Sequence, residues 1–267
     1  MSGDRRGRTL TVVVVYPDLL GTYGDGGNGL ILTRRAAWRG VDATLVQAPS
    51  DRPLPRGDLY CLGGGEDGPQ VRAATSLVAD GTLARAVDDG AVVLAVCAGF
   101  QLIGRSFPDA EDRPHPGVGL LDLTTRKGSG RRAVGEVAAD IDDRAPRGID
   151  GTPLPRLTGF ENHGGVTTLG PGATPLARVV AGVGNGGGDG TEGAWSGRVV
   201  GTYLHGPVLA RNVALADRLL GWALGEGGDE LLTPLDDVEE QALRAERLTA
   251  LSSGRSARPA GRRFARR

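Results

Sequence analysis

Hydrophobic positions fall first into short unbroken runs and later into runs interrupted by polar residues. TLTVVVV (9–15) is β-branched, is followed by Pro17, and predicts a strand buried on both faces. The turn-rich stretch YPDLLGTYGDGGNG then hands the chain to a helix from about Gly29 to Trp38, stopped by Gly40. VDATLVQA predicts a second strand, DLYCLGGG (58–65) a third ending in three glycines, and AVVLAV (91–96) another. SLVADGTLARAVDDG, before AVVLAV, has helical spacing broken by glycine. Apolar strands alternating with helices predict an α/β fold, with a mostly parallel sheet flanked by helices.

Beyond Gly117 the pattern changes to short strands: GLLDLTT, RAVGEVAADI, RLTGFENHGG, PLARVVAG and GRVVGTYLHG. GNGGGDGTEGAW (184–195) reads as a loop, because so many glycines rarely support an element interior. A helix from about Leu209 to Leu224 follows, and DDVEEQALRAERLTAL predicts an exposed amphipathic helix. The expected organisation is a disordered N-terminus (1–8), one globular domain (9–225), an exposed helical segment (226–251) and a basic disordered tail (252–267). That tail holds six arginines and no acid.

Composition narrows the classes. A net charge of -1 gives no electrostatic case for nucleic acid or an anionic membrane. No stretch approaches the roughly 18 apolar residues of a membrane span, and the N-terminus lacks the apolar core of a signal peptide, so a cytoplasmic protein is expected. The two cysteines, Cys61 and Cys97, read as free thiols. No metal site is expected.

Cys97 carries the main chemical signal. In VVLAVCAGFQLIG (92–104) it sits between an apolar strand and the start of a helix, the arrangement of a nucleophile elbow. The helix N-terminus would favour negative charge on the sulfur; the plainer alternative is a small buried hydrophobe. A thiolate nucleophile needs a base and an oxyanion site. Of the three histidines, His205 ends a strand in VVGTYLHGP and is the better base, with His163 in GFENHGG second and His115, between prolines, last. Backbone N–H groups of Gly64, in CLGGGEDG, and of Ala98 are the expected oxyanion donors.

These residues resemble the class I glutamine amidotransferases, whose elbow is a cysteine followed by x-G-x-Q. Here that is Cys97 through Gln101. The Tyr203-Leu204-His205-Gly206 strand end is similar to the cobyric acid synthase branch; Pro207 stands where commoner members carry the third, acidic residue, leaving a Cys–His dyad. YPDLLGTYGDGGNGLILTRRAAWRG, GGGEDGPQ, TGFENHGG and GTYLHGPVLARN resemble the GatD-type glutaminase subunits of lipid II isoglutaminyl synthase, over about residues 9–225. The resemblance implies a flavodoxin-like fold and hydrolysis of glutamine to glutamate and ammonia. It also implies a heterodimer with a Mur-ligase-like synthetase (MurT type) that amidates the D-glutamate of the peptidoglycan stem. From its R-x-x-G context the resemblance gives Arg132 the glutamine-binding role, with Arg131 the alternative.

A nucleotide-binding G-x-x-x-x-G-K-[ST] loop is absent, and Lys127 is the only lysine. No cofactor is therefore expected here, and ATP and Mg are expected on the partner. The competing readings are a glutaminase for another amidation such as that of cobyrinate, a stand-alone cysteine hydrolase, and a silent binding module.

Overall fold

The computed structural model describes residues 9–225 and 227–253. The expected N-terminal (1–8) and basic-tail segments lie outside these residues, apart from Ser252 and Ser253. The first half of the chain gives β1 (Leu10–Val15), α1 (Gly27–Ala37), β2 (Ala43–Ala48), β3 (Leu59–Leu62), α2 (Asp67–Asp80), α3 (Thr82–Asp88), β4 (Val92–Val96) and α4 (Ala98–Leu102). There follow β5 (Ser106–Pro108), β6 (Pro114–Pro116), β7 (Leu123–Lys127), β8 (Ala133–Ile141), β9 (Leu157–His163), β10 (Gly165–Leu169), β11 (Ala177–Ala181) and β12 (Thr191–Glu192). The chain then returns through β13 (Ala194–Ser196), β14 (Val199–Thr202), α5 (Val208–Arg211), α6 (Val213–Leu224) and α7 (Val238–Ser252).

β1, β3 and β4 are almost wholly buried, as unbroken apolar runs require. They belong to a six-stranded sheet of order β13-β14-β4-β3-β1-β2, parallel except for the β13 edge. The order β2-β1-β3-β4-β14 is flavodoxin-like, and the chain reverses direction across the sheet between β1 and β3. In such sheets ligands bind at the carboxyl ends beside that reversal. The loops after β1, β3 and β4 therefore converge where chemistry is expected. Two four-stranded sheets, β10-β7-β5-β6 and β12-β11-β8-β9, are inserted between β4 and β13.

Three elements depart from the sequence reading. α2 starts at Asp67, well before Ser76, because Pro69 lies in its first turn, where no N–H is needed. Gly81, with φ 65°, ends α2 and starts α3. Residues 184–195, expected as a loop, contain β12 and the start of β13, with Gly184, Gly186, Gly188, Gly190 and Gly193 confining the positive φ angles to the turns. The last core helix is split at Asn212, whose side chain bonds Thr158 N–H and O and Val208 O. α7 has no buried residue, as its mixed composition predicts.

A buried ion cluster fixes α1 from behind. Arg35, 2% exposed, holds Asp217 through two 2.8 Å bonds and also pairs with Asp237, while Arg39 holds Asp217 at 2.8 Å. It ties α1 to α6 and to the approach to α7. Breaking one partner would leave a buried charge uncompensated, at a cost of about 3–5 kcal/mol.

Candidate active site

β4 ends at Cys97, which has φ 55° and ψ -108°, and α4 begins at the next residue. A positive φ on a non-glycine residue is strained, and such strain persists where surrounding structure enforces it. Gly99 allows the enforcement: a Cβ there would stand 2.8 Å from Leu62 Cβ and 3.0 Å from Leu62 O. Cys97 is 5% exposed, and its sulfur lies 3.9 Å from the carbonyl oxygen of Asn162 at the end of β9.

Backbone pairing places His205. Its N–H donates to Phe160 O at 2.8 Å and Phe160 N–H donates to its carbonyl at 3.0 Å, so β9 clamps the residue just past β14. Gly159 permits the close approach, since a Cβ there would meet Leu204 Cβ at 2.7 Å. On the ring, Nδ1 lies 2.9 Å from Asp25 Oδ2, and Nε2 is buried without a hydrogen-bond partner of normal geometry. Burial works against charge on this ring, but the Asp25 hydrogen bond and the neighbouring Cys97 override it and push its pKa up to about 10. The ring therefore holds a proton readily on the side of the thiol.

Asp25 is the residue that sequence reasoning missed. It lies in the glycine-rich loop after β1, is 2% exposed, and accepts both the His205 ring and the Gly64 N–H, the latter at 2.9 Å. A carboxylate from the opposite end of the chain thus meets His205, where Pro207 offers none. The only signal was an acid between glycines, which equally well describes a turn.

Gly64 requires a correction. Its N–H is spent on Asp25 rather than offered to a substrate oxygen, so its place is beneath the site. A side chain there would meet His205 Cε1 and Tyr23 Cδ2, each at 2.8 Å. Gly65, the next residue, lines the cleft together with Cys97 and Ala98. The N–H of Ala98, in the first turn of α4, has no intrahelical acceptor.

The cleft over Cys97 has a volume of about 220 Å³ and is also lined by Gln70, Gln101, Arg132 and His163. Arg132 is aimed by Asn162, donating from Nε to Oδ1 at 2.6 Å and from Nη2 to the carbonyl at 2.9 Å. Arg131 is not among the lining residues. The Gln101 amide donates to Tyr203 Oη and accepts from Gln70 Nε2, bracing α2 and the end of β14 against the elbow. His163 is buried, stacks on Tyr203 with centroids 3.7 Å apart, and places Nδ1 3.0 Å from Gly165 O. Its Nε2 stands 3.7 Å from Glu161 Oε2, too long for a hydrogen bond. His115 does not line the cleft but stands behind it, its Nε2 2.9 Å from Oδ2 of the lining residue Asp109, and Cys61 is buried within β3, its thiol pushed up to about 12 by burial.

A larger cavity of about 380 Å³ opens among Arg56, Asp58, Arg85 and Arg198 at the amino ends of the strands, away from the candidate nucleophile. Among the described residues, no group of His, Cys, Asp and Glu is arranged to hold a metal ion, and no helix is long and apolar enough to cross a membrane.

Comparison with known proteins agrees with this architecture. The chain is 34% identical over 242 residues to a lipid II isoglutaminyl synthase (glutamine-hydrolyzing) subunit GatD of Streptococcus pneumoniae, covering 89% of this chain and 90% of that one. It is 33% identical to the Staphylococcus aureus subunit of the same name, over 79% of this chain and 83% of that protein. A cobyric acid synthase of Pelotomaculum thermopropionicum is 39% identical, but over 52% of this chain and 27% of that protein. Among solved structures, PurLQS of Thermotoga maritima superposes with a TM-score of 0.55 at 20% identity, over 85% of this chain and 100% of that chain. A glutamine amidotransferase superposes with a TM-score of 0.53 at 18% identity, over 79% and 98%. Residues 11–213 match the CobB/CobQ-like glutamine amidotransferase domain, and the chain belongs to that family of enzymes.

Proposed function

We propose that the chain hydrolyses glutamine to glutamate and ammonia through a thioester on Cys97. The observation that carries this reading is the buried Asp25–His205 pair next to a strained cysteine that itself lines the cleft. With its proton already held by His205, the Cys97 thiolate attacks the side-chain amide carbon. The resulting oxyanion accepts N–H groups of Ala98 and Gly65, and the C–N bond breaks as His205 returns the proton to leaving ammonia. Water, deprotonated by His205, then cleaves the thioester and releases glutamate. Asp25 holds the imidazole in orientation and stabilises its charged form. Arg132 binds the α-carboxylate.

The ammonia then passes to a Mur-ligase-like, MurT-type synthetase in a cytoplasmic heterodimer, where the D-glutamate of lipid II is amidated with ATP and magnesium bound by that partner. The GatD relatives support this acceptor, since the alignment spans 90% of the pneumococcal subunit but 27% of the cobyric acid synthase. The test is ammonia release from glutamine by the chain, alone and with its synthetase. Cys97→Ala should abolish it; retained release would refute the thioester route.

A further inference from the structure

Four charged residues besides His163 line the cleft: Arg132, Lys127, Asp109 and Asp67. Asp109 is fully engaged: Oδ1 accepts the N–H groups of Glu111 and Arg113, and Oδ2 meets Arg113 Nε and His115 Nε2. Lys127 is tethered through Nζ to Ala110 O at 2.6 Å. Arg132 is held on one side by Asn162, which leaves Nη1 for a ligand. Asp67, exposed at the first position of α2, has no hydrogen bond or ion pair among the described residues. The cleft thus offers one guanidinium edge and one uncommitted carboxylate, brought together from the β7–β8 connection and the start of α2.

That pairing is complementary to the zwitterionic end of a free α-amino acid. We infer that Asp67 binds the α-ammonium of glutamine and so selects the free amino acid over amides that lack this charge. The inference rests on the glutaminase reading above and assigns the part of the substrate that Arg132 leaves unmatched. A charge-assisted hydrogen bond between this carboxylate and the ammonium discriminates against an analogue without the group, which forgoes that bond. The competing account is structural: an acid in the first turn also suits the positive end of a helix.

The experiment compares hydrolysis of L-glutamine with that of glutaramate, the same amide without the α-amino group, by the full chain in complex with its synthetase. Asp67→Asn should lower kcat/KM for glutamine about ten- to a hundred-fold, chiefly through KM, and leave glutaramate within about two-fold. Asp67→Glu should recover part of the loss. If glutaramate turns over too slowly to follow, its competitive Ki against glutamine is measured instead and should not change. Equal losses for both compounds, or no loss for either, would overturn the assignment. Failure of the glutaminase reading is separable, because wild-type protein would then release no ammonia from glutamine, or Cys97→Ala would still release it.

Discussion

Asp25 and His205 lie 180 residues apart in the chain and 2.9 Å apart in the fold, joining the loop after β1 to the end of β14. The carboxylate bonded to the proposed base thus comes from the opposite side of the sheet reversal, and Gly64 N–H donates to it as well. Asp25→Asn keeps the shape but removes the charge, so the amide can present the wrong group to Nδ1. Turnover should fall about 10²- to 10⁴-fold with little change in KM. The His205 pKa, pushed up to about 10, should fall toward its ordinary value, which NMR titration of the ring would record. Unchanged turnover and titration would remove Asp25 from the site.

His205 and His163 should separate cleanly. His205→Ala should lower hydrolysis by at least about 10³-fold without loss of fold. His163 is packed face to face on Tyr203, so His163→Ala should cost about 1–3 kcal/mol of stability and leave turnover within about tenfold. Parallel denaturant titrations and steady-state assays check both, and a reversal of the two turnover effects would mean that the base is misassigned.

The thiols should differ in reactivity because only one of them lines the cleft. Cys97 opens on the cleft, whereas Cys61 is enclosed in β3 with its thiol pushed up to about 12. Iodoacetamide on the folded protein should label Cys97 at least about a hundred times faster than Cys61, read by peptide mass spectrometry. Comparable rates would mean that the elbow confers no reactivity.

Glu192 provides a stability test. It is fully buried, Oε1 accepts from Thr202 Oγ1 and Tyr203 N–H, and Oε2 has no hydrogen-bond partner. Burial, partly offset by those bonds, raises its pKa to about 6 from 4.5. A carboxyl raised in the folded state favours folding below the unfolded value, and that contribution disappears as pH rises from about 4.5 through 6. The loss is about 2 kcal/mol. Glu192→Gln can still accept at Oε1 and does not ionise. Its unfolding free energy should therefore gain about 2 kcal/mol on wild type between pH 4.5 and 7.5, and a pH-independent difference would show that Glu192 does not titrate in this range.

The parts of the fold that were legible in the sequence are those written in contiguous residues. β1, β3 and β4 are unbroken apolar runs, and the elbow announces itself because strand, Cys97 and helix are adjacent. His205 was legible as a candidate because its strand ends beside it. Asp25 was not, because no local pattern separates an orienting acid from a turn acid and its partner is remote in sequence. The role of Gly64 was misread for the same reason: which group takes its N–H depends on that remote acid. β12 and β13 were hidden by glycines whose positive φ angles mark turns around two very short strands. Arg35 reads as one basic residue on a helix until folding brings Asp217 and Asp237 to it.

The most direct test of the account separates ammonia production from ammonia use. The chain and the proposed Mur-ligase-like synthetase are supplied with lipid II, ATP and magnesium, together with either amide-¹⁵N glutamine or ammonium salt at raised pH. Wild-type complex should place ¹⁵N in the amidated stem peptide. The Cys97→Ala complex should form no product from glutamine and recover amidation with ammonium, because the substitution removes the sulfur and leaves acceptor, nucleotide and docking unchanged. Amidation of the mutant from glutamine, or no rescue by ammonium in a complex shown to be assembled, would contradict the assignment of this chain as the ammonia-producing subunit.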